Sequence, residues 1–300
     1  MPFMRTDQWQ SGIIRAPLST ILQAGSLDGL SVQWIGNDHG MRFLADPFGI
    51  WHQNHLYVFA EAYDYRTKCG KIDVLVYDSE LTFKHRKRVI SEPWHLSYPV
   101  VGEHEGHFWM LPEAHRSGKL SLYRATNFPD EWKKDDLFSF PVAAIDASPL
   151  YFQGRWWMFF SPPGTALQKK SELHCAFADS LTGKWHLHPQ NPIRVDVASA
   201  RPGGTPIIDG DTILLPTQDC TQTYGGGISL VRISGLDTQR CETSLESTLK
   251  APPSFAPWTD GLHTLSAAGS VTLVDAKRIS HSPERHFHDA FRWLRKKLRK

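Results

Sequence analysis

Asp46, Glu61, Glu113 and Asp146 are the carboxylates whose neighbours best suit acid–base work, and Arg201 is the cation best suited to grip an anion. Asp46 stands in FLADPF and Asp146 in DASPLYF, each followed within three residues by Pro and with bulky apolar side chains nearby. An acid set among apolar groups has a perturbed proton affinity, which suits a base or nucleophile. An Asp before Pro also caps turns, so the plain structural role stands beside the chemical one. Glu113 closes the run WMLPE and Glu61 the run YVFAE, where a solvated strand end is the alternative. Arg201 precedes two glycines in SARPGG, which let backbone approach closely while the guanidinium grips a carboxylate or phosphate. A structural ion pair with one of the acids is the competing use.

Two acids on either side of a sugar can hydrolyse or transfer it, one protonating the leaving oxygen and the other acting as base or nucleophile. Asp46 is expected as base or nucleophile, Glu113 as the acid and Asp146 as the group that tunes them. Glu61, Tyr98, Arg201, Gln218, Asp219, Tyr224 and His263 are the expected substrate contacts. The fifteen His include no HExxH or comparable pair, so no metal and no cofactor is expected.

A repeat positions these residues. DPFGIWHQNHLYVFAE (46–61), YPVVGEHEGHFWMLPE (98–113), DASPLYFQGRWWMFFS (146–161) and RPGGTPIIDGDTILLPT (201–217) each read as two short strands around a turn, and a fainter copy begins near Asp260. The unit starts lie 52, 48, 55 and 59 residues apart. That spacing is the size of a four-stranded propeller blade, and β-branched and aromatic runs broken by Gly, Pro and Asn disfavour helical repeats. The reading is an all-β, five-bladed propeller over residues 1–282. Its blades are expected at about 42–90, 95–140, 143–195, 198–250 and 255–281. Ser31–Ile35 is expected to pair with the last blade and close the ring, the N-terminal segment supplying that blade's outer strands. In an antiparallel hairpin the start of one strand and the end of the next share an end of the sheet. Asp46 with Glu61, Tyr98 with Glu113, Asp146 with Ser161, and Arg201 with Gln218 should therefore gather at the mouth of one funnel.

A formal net charge of +2 gives no global excess of positive potential, which argues against nucleic acid as a partner. The four Cys show no CxxC spacing, the N-terminus carries no long apolar run, and no window approaches eighteen apolar residues. A cytoplasmic protein with reduced thiols is expected. Residues 283–300 form a separate tail, in which Phe287, Phe291, Leu294 and Leu298 fall on one helical face while basic residues cover the rest. Such a helix suits an anionic membrane surface, reached through Arg292–Lys300 at the inner face of the membrane, and equally a solvated helix packed on the propeller.

FLADPF, LSYPVV, LPEAHRSGKLSLYRATNFPDEW, DASPLYFQGRWWMFF, HPQNPI, SARPGG and QDCTQTYGGGISL together resemble the propeller domain at the N-terminus of plant glucosamine inositolphosphorylceramide transferases. That domain also occurs in stand-alone bacterial proteins of surface polysaccharide synthesis and beside sugar formyltransferases. The resemblance covers about residues 43–275. It implies a five-bladed propeller akin to family-43 glycoside hydrolases, working on a glycan, a nucleotide sugar or a lipid-linked sugar. In the plant enzymes a separate C-terminal domain is credited with transfer, which leaves a non-catalytic, glycan-binding propeller with a partner glycosyltransferase as the alternative. Family-43 hydrolases place a base Asp in the first blade and a pKa-setting Asp in the third, which Asp46 and Asp146 match. Their fourth-blade acid Glu falls near Arg201, where this chain has RPGG.

Overall fold

Short segments rich in β-branched and aromatic residues, each ended by an Asn, Gly or Gln turn, build five antiparallel sheets around one axis, a five-bladed β-propeller. The computed structural model describes residues 5–36 and 41–284 together with Phe287 and Asp289. Blade 1 contains Arg42–His52, His55–Asp64, Cys69–Tyr77 and Phe83–Ile90; blade 2 contains Ser97–His104, His107–Glu113, Tyr123–Asn127 and Glu131–Lys134. Blade 3 contains Ile145–Phe152, Arg155–Ser161, Glu172–Ala178 and His186–Leu187, with Arg194–Val195 also on its third strand. In blade 4 the innermost strand is broken into Arg201–Pro202 and Ile207–Asp209, followed by Thr212–Asp219, Gly227–Ser234 and Glu242–Leu249.

Blade 5 joins both ends of the chain. Its inner strands are Gly261–Ala268 and Val271–Ser280, and its outer strands are Thr6–Ile14 and Val32–Trp34. The closing strand expected at Ser31–Ile35 is present, but it is outermost. Thr6–Ile14 lies between it and Val271–Ser280, paired from Thr6 with Ser280 to Ile14 with Thr272. A short helix, Leu18–Ala24, links the two and buries Leu18, Ile21 and Leu22.

The inner hairpins of blades 1 to 3 share one turn. His52 pairs His55, His104 pairs His107 and Phe152 pairs Arg155, so two residues close each loop. Gln53 and Asn54, Glu105 and Gly106, and Gln153 and Gly154 all have positive φ, the backbone that two-residue hairpins require. Apolar side chains pack between neighbouring blades rather than at the axis, as where Trp109 and Leu111 of blade 2 meet Trp156 and Met158 of blade 3.

In blade 2 the alternating segment Lys119–Arg124 (KLSLYR) becomes a strand only from Tyr123, because Gly118 turns the chain in a left-handed conformation and Ser117 bonds back to Lys119. Leu120 and Leu122 anchor that segment by burial instead. The fifth repeat does not start at Asp260, which accepts the Ile279 amide at 2.8 Å near the surface; the matching position is His263.

Gly204 shows how tightly the axis is built. Its φ is +154°, and a Cβ there would meet the Leu265 carbonyl oxygen at 1.8 Å. Gly204→Ala is therefore expected to lower stability by about 3 kcal/mol, since backbone cannot yield as a side-chain tip can. Chemical denaturation of the two proteins checks this, and equal midpoints would refute it.

Candidate active site at the mouth of the propeller

Each inner hairpin of blades 1 to 3 carries a β-bulge at the end facing the axis. The register slips between Ala45 and Phe48, between Ser97 and Val100, and between Ile145 and Ser148. The residue thrown out of the ladder is Asp46, Tyr98 or Asp146, at φ of 49°, 46° and 49°. Asp tolerates this left-handed region better than most residues, and bulges and strained backbone concentrate where a side chain must be re-aimed. In blade 5 the register slips between Leu262 and Thr264 and leaves the buried His263 out of the ladder.

The bulge also corrects the pairing read from sequence by one place. Glu61 pairs with Ala45 rather than Asp46, Glu113 with Ser97 rather than Tyr98, and Ser161 with Ile145 rather than Asp146. Arg201 does pair with Gln218. Paired and ejected residues still converge, because the bulge twists its residue inward over the axis.

Part of this set lines a cavity of about 250 Å³. Its lining includes Asp46, Glu61, Glu113, Arg201, Tyr224 and His263 from the residues expected at the site. Tyr98, Asp146 and Gln218 are buried but do not line it, and Asp219 turns away to accept the Thr221 amide at 2.9 Å. Trp9, Phe43, Tyr63, His95, Ser97, His115, Arg116, Ile145 and Lys169 complete the wall and were not singled out as contacts from sequence. Trp9 arrives on the N-terminal closing strand, a placement visible only once the ring is closed.

Asp46 is the centre of the floor. Its Oδ2 accepts the Tyr98 amide at 3.2 Å and its Oδ1 accepts the Thr264 hydroxyl at 2.9 Å. His263 presents Nε2 to Asp46 Oδ1 at 3.5 Å, and its Nδ1 bonds Asp275 at 2.7 Å. Trp9 stacks on the His263 ring at 3.7 Å, holding its plane. Burial pushes the Asp46 carboxyl up to about 6 despite the His263 charge. For His263, burial works against the charged form, but Asp275 and Asp46 more than offset it and the net shift is upward. Asp46, His263 and Asp275 also present ligand atoms within 4.8 Å of one another. A cation there would displace existing bonds, because Asp275 already accepts the Asp46, His263 and Thr264 amides.

The other acids differ by their partners. Burial and the surrounding carboxylates drive Glu61 well above the usual range, and its nearest ion-pair partner, His95 Nε2, stands off at 3.6 Å. His95 uses Nδ1 to accept the Gly70 amide at 2.8 Å, and burial lowers it to about 4, so it is neutral and points an N–H at Glu61. Glu113 is the reverse. Burial would raise it, but bonds from the His115 side chain and amide and from Ser97 hold it below the usual range. Glu113, expected as the acid, thus binds its proton less tightly than an ordinary carboxyl, and Glu61 binds its own more tightly.

Asp146 sits under the wall with Arg201 Nε at 2.8 Å and Gln218 Nε2 at 3.1 Å. Burial raises its proton affinity and Arg201 partly offsets this. Arg201 also reaches the Lys169 carbonyl at 3.3 Å and lies over the Tyr224 ring at 5.1 Å. The structural ion pair is therefore its principal role here. Arg116 and Lys169 leave positive charge on the rim, above an acidic floor.

Glu61 allows a direct check on burial. A carboxyl whose folded pKa exceeds its unfolded one stabilises the protein at low pH and loses that contribution as pH rises through the folded value. Glu61→Gln is expected to match the parent near pH 4 and to gain on it towards pH 8, by about 1 kcal/mol. Thermal melts across that range test it; a variant that falls behind as pH rises would show Glu61 to be ionised and paired.

Comparison with known proteins places this geometry. The chain matches the family "Glucosamine inositolphosphorylceramide transferase 1, N-terminal" over residues 32–253. Glucosamine inositolphosphorylceramide transferase 1 of Oryza sativa subsp. indica is 37% identical over 199 residues, 65% of this chain and 26% of that protein. That of Arabidopsis thaliana is 30% identical over 250 residues, 79% of this chain and 32% of its own length. The chain thus spans about a quarter to a third of these curated relatives. Among solved structures, Zg3597, a family 117 glycoside hydrolase of Zobellia galactanivorans, superposes with a TM-score of 0.56 at 14% identity, covering 92% of this chain and 91% of that one. The catalytic domain of a Coprinopsis cinerea GH62 alpha-L-arabinofuranosidase superposes at 0.54 with 12% identity, covering 81% and 94%. At these identities the likeness is one of fold.

Proposed function

The chain belongs to the glucosamine inositolphosphorylceramide transferase 1 N-terminal family, and on that premise we propose that it is a carbohydrate-active propeller of cell-surface polysaccharide or glycolipid synthesis. The cavity has room for about eight waters, which one sugar ring would displace. The observation that carries the reading is a pair of buried carboxyls from one hairpin, Asp46 and Glu61, facing the same space. Glu61 holds a proton above the ordinary range and supplies it to a leaving oxygen; Asp46, at about 6, takes one from the attacking hydroxyl or water. Asp146 and His263 tune Asp46 through the charges they place beside it. The rim cations Arg116 and Lys169 suit a sugar carrying phosphate or carboxylate, which includes nucleotide sugars and lipid-linked sugars.

One observation favours a second reading, a glycan-binding propeller that assists a partner glycosyltransferase. At the fourth blade, where related hydrolases are expected to carry the acid, Arg201 and Gln218 stand together over Asp146. The two are separated by incubating the purified protein with glycosides, nucleotide sugars and lipid-linked sugars and following glycosyl release or transfer by mass spectrometry. Turnover lost in Glu61→Gln and Asp46→Asn supports the enzyme; binding without turnover in the parent supports the assistant.

A peripheral position at the inner face of the membrane belongs to the same proposal and rests on the basic sequence of Arg292–Lys300, which lies outside the described residues. Among the described residues no helix is long and apolar enough to cross a membrane. Co-sedimentation with anionic vesicles, compared with neutral ones, tests the tail.

A further inference from the structure

Beside the funnel lies a second chamber of about 420 Å³, walled by Trp9, Tyr63, Tyr65 and Tyr224 with Arg5 and Asp7 at its edge. Trp9, Tyr63 and Tyr224 line both spaces, so the two adjoin across three aromatic side chains. We propose that this chamber is a second sugar subsite, and that the ligand is at least a disaccharide with one ring over Asp46 and the next among these aromatics. The proposal rests on the reading of the funnel as a sugar site.

The walls are rigid. Tyr63 stacks on Phe43 at 4.9 Å and meets Tyr65 edge-on at 5.0 Å, while Trp9 meets Tyr224 edge-on at 6.3 Å. The Tyr65 hydroxyl is tied to the Asp7 carbonyl, and Lys277 lies 5.2 Å from the Trp9 ring centre while donating to the Tyr224 carbonyl at 2.5 Å. Trp9 and Tyr65 are buried and brace the wall, while the half-buried Tyr63 and Tyr224 offer contact area at little entropic cost to the C–H groups of a pyranose.

The edge argues for a saccharide rather than an alkyl chain. Arg5 Nε and Asp7 Oδ1 form an ion pair at 3.0 Å, giving a donor and an acceptor where ring hydroxyls would lie. A lipid chain in the same place would desolvate that pair and return nothing to it. The subsite also depends on closure of the ring, since Arg5, Asp7 and Trp9 come with the N-terminal strand, Tyr63 and Tyr65 with blade 1, and Tyr224 with the loop of blade 4.

The test is titration calorimetry on the full chain with methyl glycosides of glucose, N-acetylglucosamine and glucuronic acid, their β-linked disaccharides, and the matching octyl glycosides. One monosaccharide should bind, and its disaccharide should bind about tenfold tighter. Arg5→Ala and Tyr65→Leu should remove that gain and leave monosaccharide affinity unchanged; Arg5 is part-exposed, so its loss spares the fold. A disaccharide no tighter than its monosaccharide, a gain that survives both variants, or a gain shown by the octyl glycoside instead would each overturn the subsite and leave the funnel reading standing. If no monosaccharide binds, the funnel reading fails and this proposal fails with it.

Discussion

Asp46→Asn is expected to lower glycosyl turnover about 10³-fold while sugar affinity changes little, because it removes the proposed base and keeps the shape. The substitution preserves acceptors for the Tyr98 amide and leaves the Thr264 hydroxyl within reach of the new amide. It also removes a buried charge. Since burial raises Asp46 to about 6, the parent is disfavoured as pH rises from the ordinary Asp value through 6, and the Asn protein escapes that loss. At pH 7 the variant should therefore melt no lower than the parent, which separates lost chemistry from lost structure. The parent's kcat/KM should fall below about pH 6, where Asp46 takes up its proton. Retained turnover in a folded Asp46→Asn protein would exclude Asp46 as the base and favour the binding role.

Arg201→Met is expected to produce the largest loss of stability, about 3–5 kcal/mol, because it leaves Asp146 buried and uncompensated. Asp146 is 3% exposed, and its only cationic contact is Arg201 Nε at 2.8 Å among the described residues. The sign with pH is distinctive. Asp146 already binds its proton more tightly than usual through burial, and without Arg201 it will do so more strongly, so the variant should recover stability as pH falls from 7 towards 5. Adding Asp146→Asn should restore much of the loss, since the unpaired charge, rather than the missing bond, is what costs. A double-mutant cycle by chemical denaturation measures this. Independent, additive losses would mean that the two side chains do not depend on one another.

Both effects trace to residues that stand out in the chain: Asp46 in FLADPF, Asp146 in DASPLYF and Arg201 in SARPGG. The repeat was legible because a blade is a local object. Its two-residue turns need residues that accept positive φ, its strands need alternating burial, and both requirements act over about 16 residues. Five such units imply a ring, and a ring implies a seam, which is why an N-terminal partner for the last blade could be anticipated at Ser31–Ile35. Thr6–Ile14 was less visible, because TDQWQSGII mixes polar and apolar residues in a strand flanked on both edges.

The bulges were not legible. A single extra residue shifts pairing by one place, and nothing in DPF, YPV or DAS announces φ near 49° in a residue other than Gly. That shift decides which side chain overhangs the axis. The contrast in proton affinity between Glu61 and Glu113 escaped for a different reason. Glu113 has its partner two residues away in LPEAH, a pairing open to inspection, but the isolation of Glu61 depends on His95 giving its other nitrogen to the Gly70 amide from the next blade's leading segment.

Sequence alone determined the five-bladed architecture, its closure through the N-terminus, and the set of acids brought to one end of it, because periodicity and turn chemistry are properties of neighbouring residues. Tertiary structure decided which of those acids burial pushes up in proton affinity, which one Arg201 pairs with, and that Trp9 and His95 line the site while Asp275 braces it. Proton affinity in a buried cavity is set by desolvation and by charges a few ångströms away, and those charges belong to blades as much as 229 residues distant along the chain.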